Sequence, residues 1–492
     1  MLNKERLVGQ LRKGYSPLDG CPREELNTIF NKTFKPLVDK KDLDFFFEIF
    51  ETNEAYLRAW GFLGIYNILK DKKIEDAKKK SRLHKIIIDL LNDNREIDYY
   101  GGKIEIQTPL RDHHIRRICE LDKTIIFKPV YEYIQSSEIK MDEVIGELLE
   151  NVLSKVPDPR IESIILKHAK TVDEKDFIVK FHIINAYENL GQIYELNEKS
   201  LITDIFKHYL NDIEEDQSES IEVNKSRKLE IVNRKRRLKE NIFKVAAELD
   251  LDLEKETLAF LDELTHPYNA LKQIAERYEN NERIKSIFLR KLKESENPNF
   301  IKDILIAIIV LRNNILNWKD LIIENLNKYQ LCDGDLIEEM QTINFFSDEM
   351  LVKFLIEGED WHLEFIREFL TNNPEILNDW VQFRNEFVKI LTFLKPANES
   401  WDKYPNLKKK KELVLKLLVD LEKKDMVEYC LDNFLNLKDS ELRKIALFAL
   451  IKLGNEELWL ELKSLLKNNN DAADFFKKFW RSLERREWKF YY

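Results

Sequence analysis

Apolar residues recur along almost the whole chain at intervals of three and four positions, which is the period of an α-helix. The breaks between these segments are short and mostly polar, as at residues 71–73, 157–159, 294–298 and 371–374. Many helices joined by short turns imply antiparallel neighbours. Glycine and proline number only 12 each among 492 residues, whereas tight turns and phosphate-binding loops depend on glycine. The sequence therefore predicts an all-α protein.

The composition fits a packed protein of a reducing compartment. Hydrophobic residues make up 43% of the chain, enough to form a core, and the net charge of −10 disfavours non-specific nucleic-acid binding by the whole molecule. A local basic face remains compatible with that charge. The four cysteines lie far apart, which disfavours a disulfide framework or a zinc ribbon. The first residues lack an apolar signal core, and the longest apolar run, residues 304–311, is too short for a bilayer. We therefore expect a cytoplasmic protein without a membrane contact.

One segment interrupts the helical pattern. Residues 97–100 and 103–107 read as two short strands around Gly101 and Gly102, a pair that tolerates the positive φ angles of a tight hairpin turn. Thr108 and Pro109 then resemble the N-cap and first turn of a helix. The sequence predicts a small β-hairpin near residues 97–107, inserted between helices.

The strongest internal pattern lies near the C-terminus, at residues 439–454. An acidic residue, Asp439, precedes the aliphatic-basic pair Leu442-Arg443, then small residues such as Ala446 and Ala449, then Leu453-Gly454. The acid suits a helix N-terminus, the small residues allow close helix packing, and the glycine suits a helix end. This window resembles the second helix of a HEAT repeat.

Three further windows match in part, around the basic residues Arg58, Lys180 and Lys302. The first two keep an acidic residue ahead of the basic one and a small residue after it, whereas Pro298 replaces the acid in the third. With a HEAT period of about 40 residues, each interval holds roughly three repeats, and the longer last interval suggests an insertion. The resemblance implies an α-solenoid of degenerate HEAT-like helix pairs.

A change of composition marks the middle of the chain. Acidic and polar residues at 214–220 precede basic runs at 225–228 and 234–237. We expect an N-terminal solenoid half over 1–215, a charged loop and basic helix over 216–250, and a C-terminal half over 251–492. The aromatic-basic tail of the second half is expected to cap its last repeat.

Catalytic motifs are scarce. The chain contains no GxxxxGK[ST], GxGxxG or GxSxG pattern, which disfavours P-loop, Rossmann and hydrolase chemistry. Asp112-His113-His114 resembles a motif of a phosphoesterase family, but companion ligands for a two-metal site are missing. The other histidines, including His182, are interpreted as solvated or packing residues. We therefore expect no cofactor, no metal and no catalytic residues.

Three functional hypotheses remain, and the first is favoured. It is a non-enzymatic scaffold that binds a protein partner along the concave surface of the solenoid. The second is nucleic-acid binding, since some DNA alkylation-repair glycosylases resemble HEAT-repeat solenoids with a basic, aromatic-lined concavity. The third is a metal-dependent hydrolase built on Asp112, His113 and His114. The candidate binding residues share a basic or aromatic side chain at a repeat position, in the basic helix or in the tail: Arg58, Trp60, Lys180, Lys302, Arg443, Arg234, Arg236, Arg237, Trp480, Arg481 and Trp488.

Overall fold

The structure is a computed structural model. It describes residues 34–70, 74–101, 104–136, 141–215, 225–358, 360–372, 380–393 and 405–484, together with the isolated positions 8, 9 and 31. The chain divides into two compact units, Met1–Leu261 and Asp262–Tyr492. The segment predicted as a charged loop and basic helix, 216–250, has its described part within the first of these units, where Lys225–Glu248 forms a helix.

The first unit consists of helices and one hairpin. Its described elements are α1 (Lys35–Asp39), α2 (Leu43–Phe50), α3 (Ala55–Leu69), α4 (Ala77–Leu91), β1 (Glu96–Gly101), β2 (Ile104–Pro109), α5 (Leu110–Glu120), α6 (Lys123–Gln135), α7 (Glu143–Asn151), α8 (Pro159–Ala169), α9 (Phe177–Ile193), α10 (Lys199–Glu215) and α11 (Lys225–Glu248). Helix α12 (Glu254–Glu263) follows at the division between the units.

The helices of the first unit form two stacked rows. The second helices of successive pairs pack side by side in the order α3, α5, α7, α9 and α11. In the other row, α2 packs on α4, α4 on α6, and α8 on α10. Helices of one pair also contact each other, as α2 with α3 and α10 with α11. Each pair buries its apolar faces against its neighbours, which is how a solenoid builds a core.

The second unit repeats this arrangement with helices alone among its described residues. Its elements are α13 (Leu271–Arg277), α14 (Glu282–Glu294), α15 (Pro298–Val310), α16 (Trp318–Tyr329), α17 (Gly334–Thr342), α18 (Asp348–Glu357), α19 (Asp360–Asn372), α20 (Trp380–Thr392), α21 (Pro405–Asp420), α22 (Val427–Asn436), α23 (Ser440–Leu453), α24 (Glu456–Asn468) and α25 (Asn470–Glu484). The odd-numbered helices from α13 to α23 contact one another in sequence. The predicted all-α solenoid of helix pairs with one inserted hairpin is confirmed.

The last repeat interval was misjudged from the sequence. Lys302 lies on α15 and Arg443 on α23, and the second helices α17, α19 and α21 lie between them. The interval therefore holds four helix-pair steps, because each pair here is shorter than the assumed period of about 40 residues. An additional pair, not an insertion, explains the longer spacing.

The hairpin pairs β1 with β2 as antiparallel strands, with Ile97 opposite Thr108. Residues 102 and 103 of the predicted turn lie outside the described residues. The second strand runs on to Pro109, so that residue, and not Thr108, is the N-cap of α5. The strand persists because the Leu110 amide still donates to the Arg95 carbonyl at 2.9 Å. Ile97 is buried, so the hairpin is anchored on the helices, as a lone hairpin requires.

Close packing of α2 against α3 depends on the glycines of the first repeat window. A Cβ atom placed on Gly61 would lie 2.7 Å from the Phe50 amide nitrogen, and one on Gly64 would overlap the Phe46 ring. Phe46, Phe50 and Trp60 are fully or almost fully buried in this contact. The predicted role of small residues at helix contacts is confirmed here.

None of the described helices is a candidate for a membrane span. None of them combines the length and the apolar character that a bilayer span requires.

Candidate functional site

The basic residues at the repeat positions lie inside the solenoid. Lys180 of α9 is completely buried, and its Nζ lies 2.5 Å from Oδ2 of Asp212 on α10. It also donates to the Glu174 carbonyl at 2.6 Å and lies above the Tyr209 ring. Such a buried charge is retained only when paired and hydrogen-bonded. The ammonium group therefore serves the chain's own packing.

Arg58 and Arg443 are held in the same way. The Nε of Arg58 lies 2.7 Å from Asp93 Oδ2, and its Nη1 donates to the Phe50 carbonyl at 3.1 Å. Burial lowers the pKa of Arg58, and the nearby Asp93 carboxylate opposes that change. Arg443 donates from Nε to the Phe434 carbonyl at 2.8 Å and from Nη1 to Asp471 at 2.9 Å. Both guanidinium groups are directed at internal oxygen atoms.

At other steps of the solenoid, the acidic partner lies at the start of the next second helix. Lys302 of α15 lies 3.6 Å from Asp333, the N-cap of α17. Arg111 of α5 lies 2.7 Å from Asp142, the N-cap of α7. A cation on one second helix thus approaches an acid that caps the following one, where the helix dipole also favours the carboxylate. Cations and acids of successive pairs thus form an internal ladder between repeats, although the acids that face Arg58 and Lys180 lie elsewhere in the next pair and not at a helix cap.

This ladder changes the interpretation of the predicted repeat residues. Trp60, also predicted to bind, is buried with its ring 5.0 Å from that of Phe34. Arg58, Lys180 and Arg443 are at most 8% exposed. An external nucleic acid would have to reach cations that the protein's own carboxylates and carbonyls already neutralise. The geometry therefore gives no support to these four residues as ligand contacts.

The remaining predicted residues lie elsewhere. Arg234, Arg236 and Arg237 are exposed on α11, and Arg236 pairs with Glu240 one turn away at 3.6 Å. Trp480 and Arg481 fall in α25, but their side chains are outside the described residues, as is Trp488 entirely. The arginines of α11 belong to the first compact unit, and the tail residues belong to the second. Their role in binding stays a prediction.

Asp112, His113 and His114 do not converge on a shared metal position. His114 is completely buried, and neither ring nitrogen has a hydrogen-bond partner among the described residues. Its ring packs edge-on against Phe62 and His113. The Asp112 carboxylate instead contacts Arg111 at 3.0 Å. Burial lowers the pKa of His113 to about 4 and that of His114 well below its usual value.

Polar contacts instead cross the second helices of the first unit. The Tyr66 hydroxyl on α3 donates to Glu120 on α5, and Asn241 on α11 donates to Asn185 on α9 at 2.8 Å. Lys244 pairs with Glu188 at 2.8 Å. We call this set the polar row. Its members are Tyr66, Arg116, Glu120, Glu143, Glu147, Glu150, His182, Asn185, Glu188, Asn241 and Lys244.

The centre of the polar row lies between α7 and α9. His182 Nδ1 lies 2.5 Å from Glu150 Oε2, and Asn185 donates to the other oxygen of Glu150 at 3.0 Å. Burial and the neighbouring carboxylates of Glu143 and Glu150 raise the pKa of Glu147, although His182 and Arg116 oppose them. The row is acidic, since five glutamates face one arginine, one lysine and one histidine.

The sequence pattern did not single out this row. Helical spacing places Glu143 and Glu147 on one side of a helix. However, nothing in the sequence shows that His182 on α9 approaches them. The signal available was Gly146, a small residue between two glutamates on α7, which marks a close helix contact.

Comparisons with known proteins add little to this geometry. No protein-family model matches the sequence, and no curated protein matches it. Among solved structures, the chain is similar to Kap95 in the Kap95:Nup1 complex, with 12% identity and a TM-score of 0.44 over 92% of this chain and 62% of that one. It is also similar to yeast importin-beta, with 11% identity and a TM-score of 0.39 over 97% and 68%. An engineered protein matches at 12% identity and a TM-score of 0.28 over 92% and 100%.

At such identities and TM-scores these likenesses carry no statement about function. The repeat type rests on the chain itself. Paired helices, acidic N-caps and basic residues one turn into the second helices recur in both units. The HEAT-like helical repeat predicted from the sequence is confirmed.

Proposed function

We propose that the protein is a non-enzymatic scaffold that binds a protein partner along the second helices of its first unit. The observation that carries the proposal is the polar row, a set of solvent-accessible polar side chains on five neighbouring helices. Solenoids use such extended helix faces to bind other chains. Side chains that neighbouring helices already hold in place lose little conformational entropy on binding.

The charge of the row defines the chemistry of the partner. The excess of glutamates favours a basic segment, because complementary charges steer association and fix its register. Phe181, next to His182 on α9, adds an apolar side chain that is 37% exposed. A segment that combines lysine or arginine with an apolar side chain matches both features. Nucleic acid is the wrong charge for this face.

Charge reversal tests the proposal. We expect E120K/E188K to lose the partner proteins that the full-length wild type captures from native cells, as measured by quantitative mass spectrometry. The matched control is E48K/D204K, which makes the same charge change at exposed positions of the first helices α2 and α10. It should retain them. Cross-links from the captured proteins should map to α7, α9 and α11 and involve basic segments.

Two results would overturn the proposal. One is that E120K/E188K and E48K/D204K reduce the amount of captured partner protein equally. The other is that the wild type captures no protein above background. Neither glutamate of the test variant contacts His182 in the hydrogen bonds or ion pairs described, so the variant leaves the centre of the row intact.

A further inference from the structure

Three potential metal ligands meet at the centre of the polar row. Glu143 and Glu147 lie one turn apart on α7, and His182 comes from the adjacent helix α9. One ligand atom of each lies within 4.8 Å of those of the other two. Two carboxylates and one imidazole, drawn from two helices, form the kind of three-residue set that binds a divalent ion with further positions open.

A glycine allows this approach. A Cβ atom placed on Gly146 would lie 2.9 Å from the Cβ of His182, closer than real side chains approach. Any larger residue at 146 would push α9 away from α7 at this point. His182 can therefore lie close to Glu143 and Glu147 because the residue at position 146 is a glycine.

The imidazole is also oriented from behind. Glu150 Oε2 lies 2.5 Å from His182 Nδ1, and Glu150 Oε1 accepts from the Asn185 amide at 3.0 Å. An ionised carboxylate can only accept, so Nδ1 is the nitrogen that donates to Glu150 and Nε2 is the nitrogen left for an ion. Metal-binding histidines show the same arrangement, with a carboxylate on the nitrogen opposite the metal. Glu150 is thus placed as a positioning residue.

The second histidine–glutamate pair of the first unit shows what is special here. His84 Nε2 lies 2.7 Å from Glu132 Oε2, across the first helices α4 and α6. That pair joins no group of three potential ligands among the residues described. A simple ion pair accounts for His84, whereas His182 meets two additional carboxylates that an ion pair does not need.

We propose that Glu143, Glu147 and His182 bind one divalent transition-metal ion of the zinc class. Carboxylates alone would favour magnesium or calcium, but the imidazole nitrogen shifts the preference to zinc. The ion offsets the negative charge that gathers between α7 and α9 and joins two neighbouring repeats. The coordination positions left open are available to water or to a partner's side chain. The metal site does not depend on the proposed partner.

Metal titration of the full-length protein tests the site. After dialysis against a chelator, we expect one equivalent of Zn²⁺ to bind by calorimetry, and millimolar Mg²⁺ to leave that binding unchanged. Co²⁺ should bind to the same site and develop visible absorption bands that Zn²⁺ abolishes. H182Q and E147Q should each weaken Zn²⁺ binding at least tenfold. E150Q should weaken it about 10–100-fold, although Glu150 is not a ligand.

H84Q is the matched control and should bind Zn²⁺ like the wild type. Far-ultraviolet circular dichroism of each variant checks that the helices are intact. The proposal is overturned if the wild type binds no equivalent of Zn²⁺. It is equally overturned if H182Q and E147Q, correctly folded, bind Zn²⁺ with wild-type affinity, because the ion then lies elsewhere.

Discussion

Lys180 and Asp212 form an ion pair that is sealed inside the first unit, with Nζ 2.5 Å from Oδ2 and side-chain exposures of 0% and 6%. The pair joins α9 to α10, so it links the two helices on either side of a turn. Because both charges are almost completely removed from water, each is stabilised mainly by the other. Its contribution is therefore visible only when one partner is removed.

We expect K180M to lower the free energy of unfolding by about 3–5 kcal/mol, since the Asp212 carboxylate would remain buried without its counter-charge. Urea unfolding followed by circular dichroism measures this. K170M replaces an exposed lysine of the same unit and should change the free energy by less than about 0.5 kcal/mol. If K180M proved as mild as K170M, the pair would not be buried as described. The double variant K180M/D212L should recover most of the loss.

Gly61 and Gly334 offer the same substitution in opposite surroundings. G61A would place a methyl group 2.7 Å from the backbone nitrogen of Phe50, which cannot rotate away. We expect a loss of about 1–3 kcal/mol from overpacking between α2 and α3. Around Gly334, at the start of α17, no heavy atom lies within 4 Å of the added methyl apart from the adjacent residues and the helix's own backbone. G334A should therefore be neutral or stabilise by up to about 1 kcal/mol. Thermal unfolding of both variants checks the contrast, and equal shifts would contradict it.

The sequence predicted the architecture better than the site. The helical period of apolar residues and the small residues of the repeat windows identify the helix pairs, because both patterns arise within one helix. The side-chain direction of a basic residue, in contrast, depends on contacts with other segments, which a pattern within one helix does not reveal. Arg58 and Lys180 lie at the predicted repeat positions, yet the sequence cannot show that each faces a carboxylate from another part of the chain. For the same reason the sequence did not identify His182 as a site residue, because its approach to Glu147 depends on contacts between α7 and α9.

His113 and His114 make the first unit sensitive to acid. Burial lowers the pKa of His113 from its usual 6.5 to about 4, and it lowers the pKa of His114 well below its usual value. The cationic Arg117 acts in the same direction on both. Below pH 6.5 the two imidazoles bind protons in the unfolded chain but stay neutral in the folded chain. The free energy of unfolding therefore falls as the pH drops from about 6.5 towards 4.

For His113 alone the loss amounts to about 2–3 kcal/mol over that range. We expect H114L to flatten the fall in stability between pH 7.5 and pH 5, measured by urea unfolding at several pH values. H208Q removes a largely exposed histidine of the same unit that lies 3.8 Å from Asp212, and it should change the slope much less than H114L does. Equal slopes in the wild type and H114L would show that His114 does not remain neutral in the fold.

Asp439 has two functions that a pair of substitutions can separate. Its Oδ1 accepts from the amides of Glu441 and Leu442 at 3.1 Å, which confirms the N-cap predicted from the sequence. Its Oδ2 lies 2.6 Å from Nζ of Lys408 on α21. We expect D439A to lower the free energy of unfolding by about 1–2 kcal/mol, mainly through the lost cap. D439N keeps an oxygen for the cap and loses only the charge, so it should lose less than about 1 kcal/mol, because Lys408 is partly exposed.

Hydrogen exchange at the Glu441 and Leu442 amides should accelerate in D439A and stay slow in D439N. Fast exchange in both variants would mean that the charge of Asp439, and not its hydrogen bonds, holds the start of α23.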